Sequence, residues 1–332
     1  MVSGDPAAER STTGTSTPLG RPASTSRERR LAELSVIAVA VLWGANFVVV
    51  KAAIGALPPI GFNFLRFGLA ALTLMALLWW REGTIGVPAR DAARLTGLGV
   101  LGYGIYQLLW VGGLSAIPAG DSALLIAATP VITAVLAGVV GADRLTPPVL
   151  AGALLSFAGV AIVIGEGVGL DLGAALANPR VLTGDLLTLA AAVVWAVYTV
   201  LAAAILRRVS PLRTIAWAVA GGSLLLAPIG IAQIAESGFS VSGDVLLGLV
   251  YSGLISVAVS NVFVFRAVRQ IGPTRTTAFQ FLIPAFAVIF AGLFLAEPIR
   301  PGQVVGGAVI VVGLLLARRA SGMRWRRLSS AS

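Results

Sequence analysis

The chain contains no cysteine and no histidine. Without cysteine there is neither a disulfide framework nor thiol chemistry, and the redox compartment stays open. Without histidine the commonest metal ligand and general base is missing, so neither a metal site nor a cofactor is expected. Charge is scarce too: 11% of the 332 residues are charged against 57% hydrophobic, with a mean hydropathy of +0.93. So little polar surface excludes a soluble fold. Carboxylates are absent from the middle of every apolar stretch. Asp121, Glu166, Asp171, Asp185, Glu236, Asp244 and Glu297 all fall at stretch ends or in a linker on one side, which argues against a buried proton relay. An intramembrane enzyme would need a nucleophile, base or metal cluster among the apolar stretches, and the absence of histidine and cysteine, with carboxylates only at stretch ends, argues against one.

What the chain does contain is a pattern written twice. Apolar stretches run over 34–56, 60–80, 95–116, 122–140, 147–165, 184–205, 213–235, 245–268, 276–296 and 301–317. Most are near the twenty residues that cross a hydrocarbon core of about 30 Å. At an offset of 154, Gly99 falls on Gly253, Ile117 on Ile271, Pro130 on Pro284, Asp143 on Glu297, Gly152 on Gly306 and Gly159 on Gly313. Upstream the offset becomes 152 and Trp43 falls on Trp195. Five is an odd number of crossings, so the second copy must enter the bilayer from the opposite side. The expected fold is an all-α integral membrane protein, with ten transmembrane helices as two inverted five-helix repeats. Its units are a disordered tail (1–32), a first repeat (33–166), an outer linker (167–183), a second repeat (184–318) and a basic tail (319–332). The N-terminal tail lacks the apolar core of a cleavable secretory signal.

The formal charge of +10 would suggest a nucleic-acid partner in a soluble protein. Here the cations sort by side instead. Twenty lie in the two tails and in the loops expected on one side, and only Arg180 and Arg300 on the other. By the positive-inside rule both termini are cytoplasmic, in an inner or plasma membrane, and no nucleic-acid partner is expected. Lys51 and Arg66 remain within the spans.

Those two flank the turn Leu57-Pro58-Pro59-Ile60 at similar distances, so a helical hairpin puts them at one depth in the outer half. Two readings stand. In one, both are snorkelling cations or partners of Asp121 and Glu297; in the other, they are a pair that attracts an anionic solute. Tyr103, Tyr106, Gln107 and Trp110 form one stripe of the third helix, with Asn261 at the repeat position of Gln107. The eighth helix carries Ser252, Ser256 and Ser260 at four-residue steps; Trp195 and Tyr198 come from the sixth helix, and Trp43 and Asn46 from the first. Together these would line a polar and aromatic cavity for an organic metabolite, although interhelical hydrogen bonding explains single members equally well.

Pro130 and Pro284 fall near the middle of the fourth and ninth stretches, as kinks or as hinges lining the path, and they free the carbonyls of Ile126 and Gln280. Gly302 and Gly306 form a GxxxG motif, which serves a homodimer or packing within one chain.

The run Trp43-Gly44-Ala45-Asn46-Phe47-Val48-Val49-Val50-Lys51, then Leu57-Pro58-Pro59 and Leu65-Arg66-Phe67, resembles the first helical hairpin of EamA-type transporters of the drug/metabolite transporter superfamily. Ile117 to Gly159, with Pro130 and Asp143, resembles the close of that family's first domain, and Ile271 to Gly313 the close of its second. The resemblance covers about 35 to 317 and implies two inverted five-helix units, a central cavity reached alternately from each side, and export of amino acids or other small metabolites. Asp143 stands where the family commonly has glutamate, whereas Glu297 keeps the pattern.

The expectation is therefore a secondary transporter, an exporter of small organic metabolites, whose partners are a small-molecule solute and the lipid bilayer. Lys51 and Arg66 would attract an anionic group; Trp43, Tyr106, Trp110, Trp195 and Tyr198 would pack its organic body; Asn46, Gln107, Asn261 and Gln280 would hydrogen-bond it. The alternative is a channel, receptor or structural subunit with a polar cavity and no carrier cycle.

Overall fold

A computed structural model describes residues 26–139, 146–168, 178–206, 208–237, 242–271 and 282–329. Gln280, Asp143 and the linker positions 169–177 lie outside the described residues. Every regular element among the described residues is a helix. In chain order these are α1 (Ser26–Ala56), α2 (Pro59–Glu82), α3 (Ala89–Gly99), a π-helical stretch (Val100–Ile105), α4 (Tyr106–Ala116), α5 (Ala119–Ile126), α6 (Thr129–Val139) and α7 (Pro147–Val168). They continue with α8 (Pro179–Ile205), α9 (Pro211–Ser237), α10 (Gly243–Val250), a second π stretch (Tyr251–Val259), α11 (Ser260–Ile271), α12 (Leu282–Phe294) and α13 (Pro301–Ser329). By length and composition seven helices among the described residues can cross a membrane: Arg30–Ala56, Pro59–Glu82, Ala89–Ala116, Pro147–Gly165, Pro179–Ala202, Pro211–Ser237 and Gly243–Val264. Ala119–Thr133, Leu282–Phe294 and Pro301–Leu316 are shorter apolar helices. The protein is a multi-pass membrane protein.

Helix starts follow local chemistry. Pro59, Pro147, Pro179, Pro211 and Pro301 each open a helix, where the missing N–H costs nothing and the fixed φ suits the first turn. Two starts and ends differ from the apolar pattern. Helix α1 already includes Ser26, inside the expected tail, because Arg-Glu-Arg-Arg-Leu-Ala-Glu is built of good helix formers that continue the apolar helix into the polar zone. For the same reason α13 runs to Ser329, through most of the expected basic tail.

The fourth stretch is not one helix with a kink at its middle. It breaks at Ala127 and Ala128, and Pro130 takes the second position of α6, where proline is tolerated. The Ile126 carbonyl, which Pro130 cannot serve, accepts a 2.6 Å hydrogen bond from Thr129 Oγ1. Pro284 lies buried within α12. A third proline, Pro228, sits inside α9 without ending it.

Packing depends on small residues. Helices α7 and α13 run antiparallel in close contact: Gly152 meets Gly313, Ser156 Oγ donates to the Ile310 carbonyl at 3.1 Å, and Gly159 meets Gly306. A Cβ built on Gly159 would lie 2.7 Å from the Gly306 carbonyl oxygen, and one on Gly306 would lie 2.7 Å from that of Gly159. Only glycine lets these backbones approach so far. Gly306 thus serves packing within the chain.

Candidate functional site

Arg66 is 1% exposed, among the largest fully buried side chains of the structure. Its helix, α2, enters the bilayer at Pro59 and carries Asn63 one turn before it, on the same face. Arg66 Nε donates to Asn63 Oδ1 at 2.7 Å, Nη2 to Gln107 Oε1 at 2.8 Å and Nη1 to Ser252 Oγ at 2.6 Å. Ser252 Oγ in turn donates to Asn46 Oδ1 at 2.7 Å. Four helical segments are joined here: α1, α2, α4 and the second π stretch. Phe67 and Trp110 offer ring faces to the guanidinium, whose central carbon lies 4.6 and 5.6 Å from their centroids.

No carboxylate takes part. Among the described residues, the guanidinium meets neutral oxygens only, so a full positive charge is buried without a counter-ion. Burying such a charge costs several kcal/mol, which neutral hydrogen bonds offset only in part. Three of its five N–H groups have acceptors in this network. One further donor is idle nearby: Trp110 Nε1 is buried without a hydrogen-bond partner among the described residues.

Aromatic rings continue from that point. Tyr106 stacks on Trp110 with an interplanar angle of 4°, and its centroid is 4.9 Å from that of Trp195. Trp195 lies 4.8 Å from Tyr198, and Tyr103 meets both edge-on, at 5.7 and 5.5 Å. The stripe read on the third helix therefore packs against α8, as one wall of rings leading away from Arg66.

Lys51 is elsewhere. Its ammonium donates to the carbonyls of Leu114 and Ile117, at 2.5 and 2.7 Å, which are orphan acceptors at the C-terminal end of α4. Gln107, the partner of Arg66, is seven residues before Leu114 on that helix, about 10 Å at 1.5 Å per residue. The two cations thus serve different helical levels rather than one shared site. On the far side of the same turn, Glu297 accepts from the backbone N–H groups of Ala119 and Gly120, at 2.9 and 3.3 Å. A cation at one helix end and an anion at the next helix start is the arrangement that helix dipoles favour. Asp121 accepts from Arg300 and, at 2.7 Å, from Gln303 Nε2. The loop-side arginine, not an intramembrane cation, is its partner. Asp185 on α8 is 2% exposed, and its Oδ2 has no hydrogen-bond partner among the described residues. The position at a stretch end gave no sign of that burial.

The remaining expected residues divide. Asn46 joins the Arg66 network through Ser252. Trp43 Nε1 donates to the Ser256 carbonyl at 2.9 Å, which ties α1 to the second π stretch. Asn261 turns its amide onto the Val257 carbonyl of its own helix at 2.6 Å, and so is not brought to Arg66. Asn63 was missed, although its place three residues before Arg66 on one helix face is a signal that spacing alone provides.

The family model of the EamA-like transporter family matches residues 30–165 and again 182–319. The chain belongs to that family. A relative from Streptantibioticus cattleyicolor, named "Probable terminal-alkyne amino-acid exporter", is 28% identical over 300 residues, covering 89% of this chain and 96% of its own. A relative from Salmonella typhimurium, named "Probable amino-acid metabolite efflux pump", is 26% identical over 305 residues, covering 89% and 96%. A solved crystal structure shares the fold with a TM-score of 0.59 at 22% identity, covering 87% of this chain and 97% of that one. EamA family membership makes the chain a transporter homologue of the drug/metabolite transporter superfamily, and a small-molecule solute its class of cargo.

Proposed function

We propose that this EamA protein exports small organic metabolites bearing an anionic group, such as amino acids or related compounds, by alternating access. The observation that carries the reading is Arg66: a fully buried guanidinium held by Asn63, Gln107 and Ser252 and lacking a counter-ion among the described residues. A carboxylate that arrives with the solute supplies the missing charge and reaches the idle Trp110 Nε1. The ring wall of Tyr106, Trp110, Trp195 and Tyr198 packs its organic part. Relatives named for amino-acid export support this class of solute.

Ten spans in two inverted five-helix units underlie the cycle. The antiparallel contact of α7 with α13 supports this, since it pairs Gly159 with Gly306 and Gly152 with Gly313, each pair exchanging repeat positions at the offset of 154. The π stretch at Val100–Ile105 has its counterpart within Tyr251–Val259 at the same offset. Both termini face the cytoplasm, a reading that the arginine distribution supports. The role is transport, not catalysis.

Counterflow in proteoliposomes tests the reading. Labelled amino or organic acid should accumulate against unlabelled solute inside, with saturation. A solute flux without saturable trans-stimulation would identify a channel and remove the carrier cycle.

A further inference from the structure

A cavity of about 570 Å³ opens between the ends of α3 and α8 that lie away from the Lys51 and Glu297 turn. Leu98 and Leu101 form one apolar wall and Leu201 the other, and the rim holds Arg94, Asp91 and Arg208. Asp91 lies 3.7 Å from Arg94 in an exposed pair, whereas Arg208 has no carboxylate partner among the described residues. The rim is therefore net positive over apolar walls, which suits an organic anion.

About one helical turn deeper than the cavity, the two helices touch. Leu101 immediately precedes Gly102, and Leu201 lies three residues, about one helical turn, after Tyr198. A Cβ on Gly102 would come within 2.2 Å of the Tyr198 ring, so the ring is seated directly on the glycine backbone. Behind that ring are Tyr103 and Trp195, then Tyr106, Trp110 and Arg66. Gly102 belongs to the π stretch, a wide turn of a kind frequent at functional sites. The opposite end of the bundle is tied by Lys51, Glu297 and the Asp121–Arg300 pair.

We infer that this cavity is the inner vestibule of the solute path, a binding site for an anionic organic solute, with Tyr198 on Gly102 as the floor that shifts to admit it to Arg66. The inference rests on the transporter reading and names where the solute first binds. Arg94 and Arg208 draw the anionic group in, and the leucine walls take its apolar part. A free solute, not a lipid headgroup, is the occupant, because the Tyr198–Gly102 contact one turn beyond the cavity adjoins the wall of aromatics that reaches the buried guanidinium.

The native chain lacks cysteine, so single-cysteine variants report without background. Leu201→Cys in membrane vesicles should react with a sulfonate-bearing methanethiosulfonate at least tenfold faster from the cytoplasmic side than from the other. Relative to a trimethylammonium reagent, that preference should fall about fivefold in Arg94→Gln/Arg208→Gln. Ala191→Cys, buried two turns beyond Tyr198 on α8, should react slowly in the parent chain and at least tenfold faster once Tyr198→Ala removes the floor. Equal reactivity of Leu201→Cys from both sides, no change on arginine removal, or no effect of Tyr198→Ala on Ala191→Cys would overturn the inference. Protection of Leu201→Cys by phosphatidylglycerol, relative to phosphatidylcholine vesicles, would also overturn it by making a lipid the occupant. Counterflow in the same preparations separates the two readings. Intact counterflow with unreactive Leu201→Cys overturns the vestibule alone; the expected labelling without counterflow supports the vestibule and removes the carrier.

Discussion

Arg66 Nη1 lies 2.6 Å from Ser252 Oγ, across 186 residues of sequence. One comes from each of the two segments that match the family model, so the buried charge is held jointly by both halves. A group that spans the seam between halves is placed to respond when one half moves against the other.

Removing the charge should therefore hit transport first. Arg66→Gln keeps hydrogen-bonding capacity but no cation, and counterflow should fall about tenfold or more, in line with about 1.5–3 kcal/mol for a hydrogen bond to a charged group. Arg66→Lys keeps the charge without the planar fork and should retain part of the rate. Wild-type counterflow in well-folded Arg66→Gln would take Arg66 out of the solute site.

Lys51 should behave in the opposite way. Lys51→Met leaves the Leu114 and Ile117 carbonyls without their donor and should cost about 1–3 kcal/mol of stability. Transport per folded molecule should change less than twofold. A thermal unfolding midpoint lowered by several degrees, beside near-normal counterflow, is the expected result; an unchanged midpoint with lost transport would return Lys51 to the solute path.

The α7–α13 crossing should tolerate no bulk. Gly159→Val places its side chain against the Gly306 carbonyl and Ile310, and overpacking of this kind costs about 1–3 kcal/mol or more. Yield of monodisperse protein in size-exclusion chromatography should drop sharply. A surface change on the same helix, Leu154→Ala, at a residue 73% exposed in the chain alone, should leave it unchanged.

Thr129→Val tests the broken fourth stretch. The substitution removes the donor to the Ile126 carbonyl while keeping the side-chain shape, and should cost about 1 kcal/mol. Paired with Pro130→Ala, which restores an N–H for that carbonyl, the loss should shrink; equal losses in the two backgrounds would show that the hydroxyl is not serving the break.

Topology admits a direct check in the cysteine-free chain. Arg208→Cys and Arg27→Cys should be labelled by impermeant maleimide from one side, and Pro179→Cys from the other. Labelling of Arg208→Cys and Pro179→Cys from the same side would break the inverted arrangement.

That the chain is helical and crosses a membrane several times was legible because hydrophobic length acts on the chain one segment at a time. The aromatic stripe of Tyr103, Tyr106, Gln107 and Trp110 was legible for the same reason, since helical spacing alone sets a common face. The roles of Lys51 and Arg66 were not. Both are cations at similar distances from one turn, and nothing local tells a guanidinium among Asn63, Gln107 and Ser252 from an ammonium on two backbone carbonyls. Nor could spacing show that Asn261 would bond its own helix or that Asp185 would be buried, because both depend on which neighbour fills the space beside them.

Sequence by itself determined that this chain lives in lipid, that its apolar segments recur, and that cysteine, histidine and midspan carboxylate chemistry are unavailable to it. Each follows from composition and from the energetic cost of polar groups in hydrocarbon, which apply residue by residue. The tertiary structure decided which polar groups meet: Arg66 with Ser252, Lys51 with the end of α4, Tyr198 with Gly102. Those pairings arise only when distant helices pack, because a hydrogen bond or a ring contact acts over a few ångströms and the partners are brought that close by the fold alone.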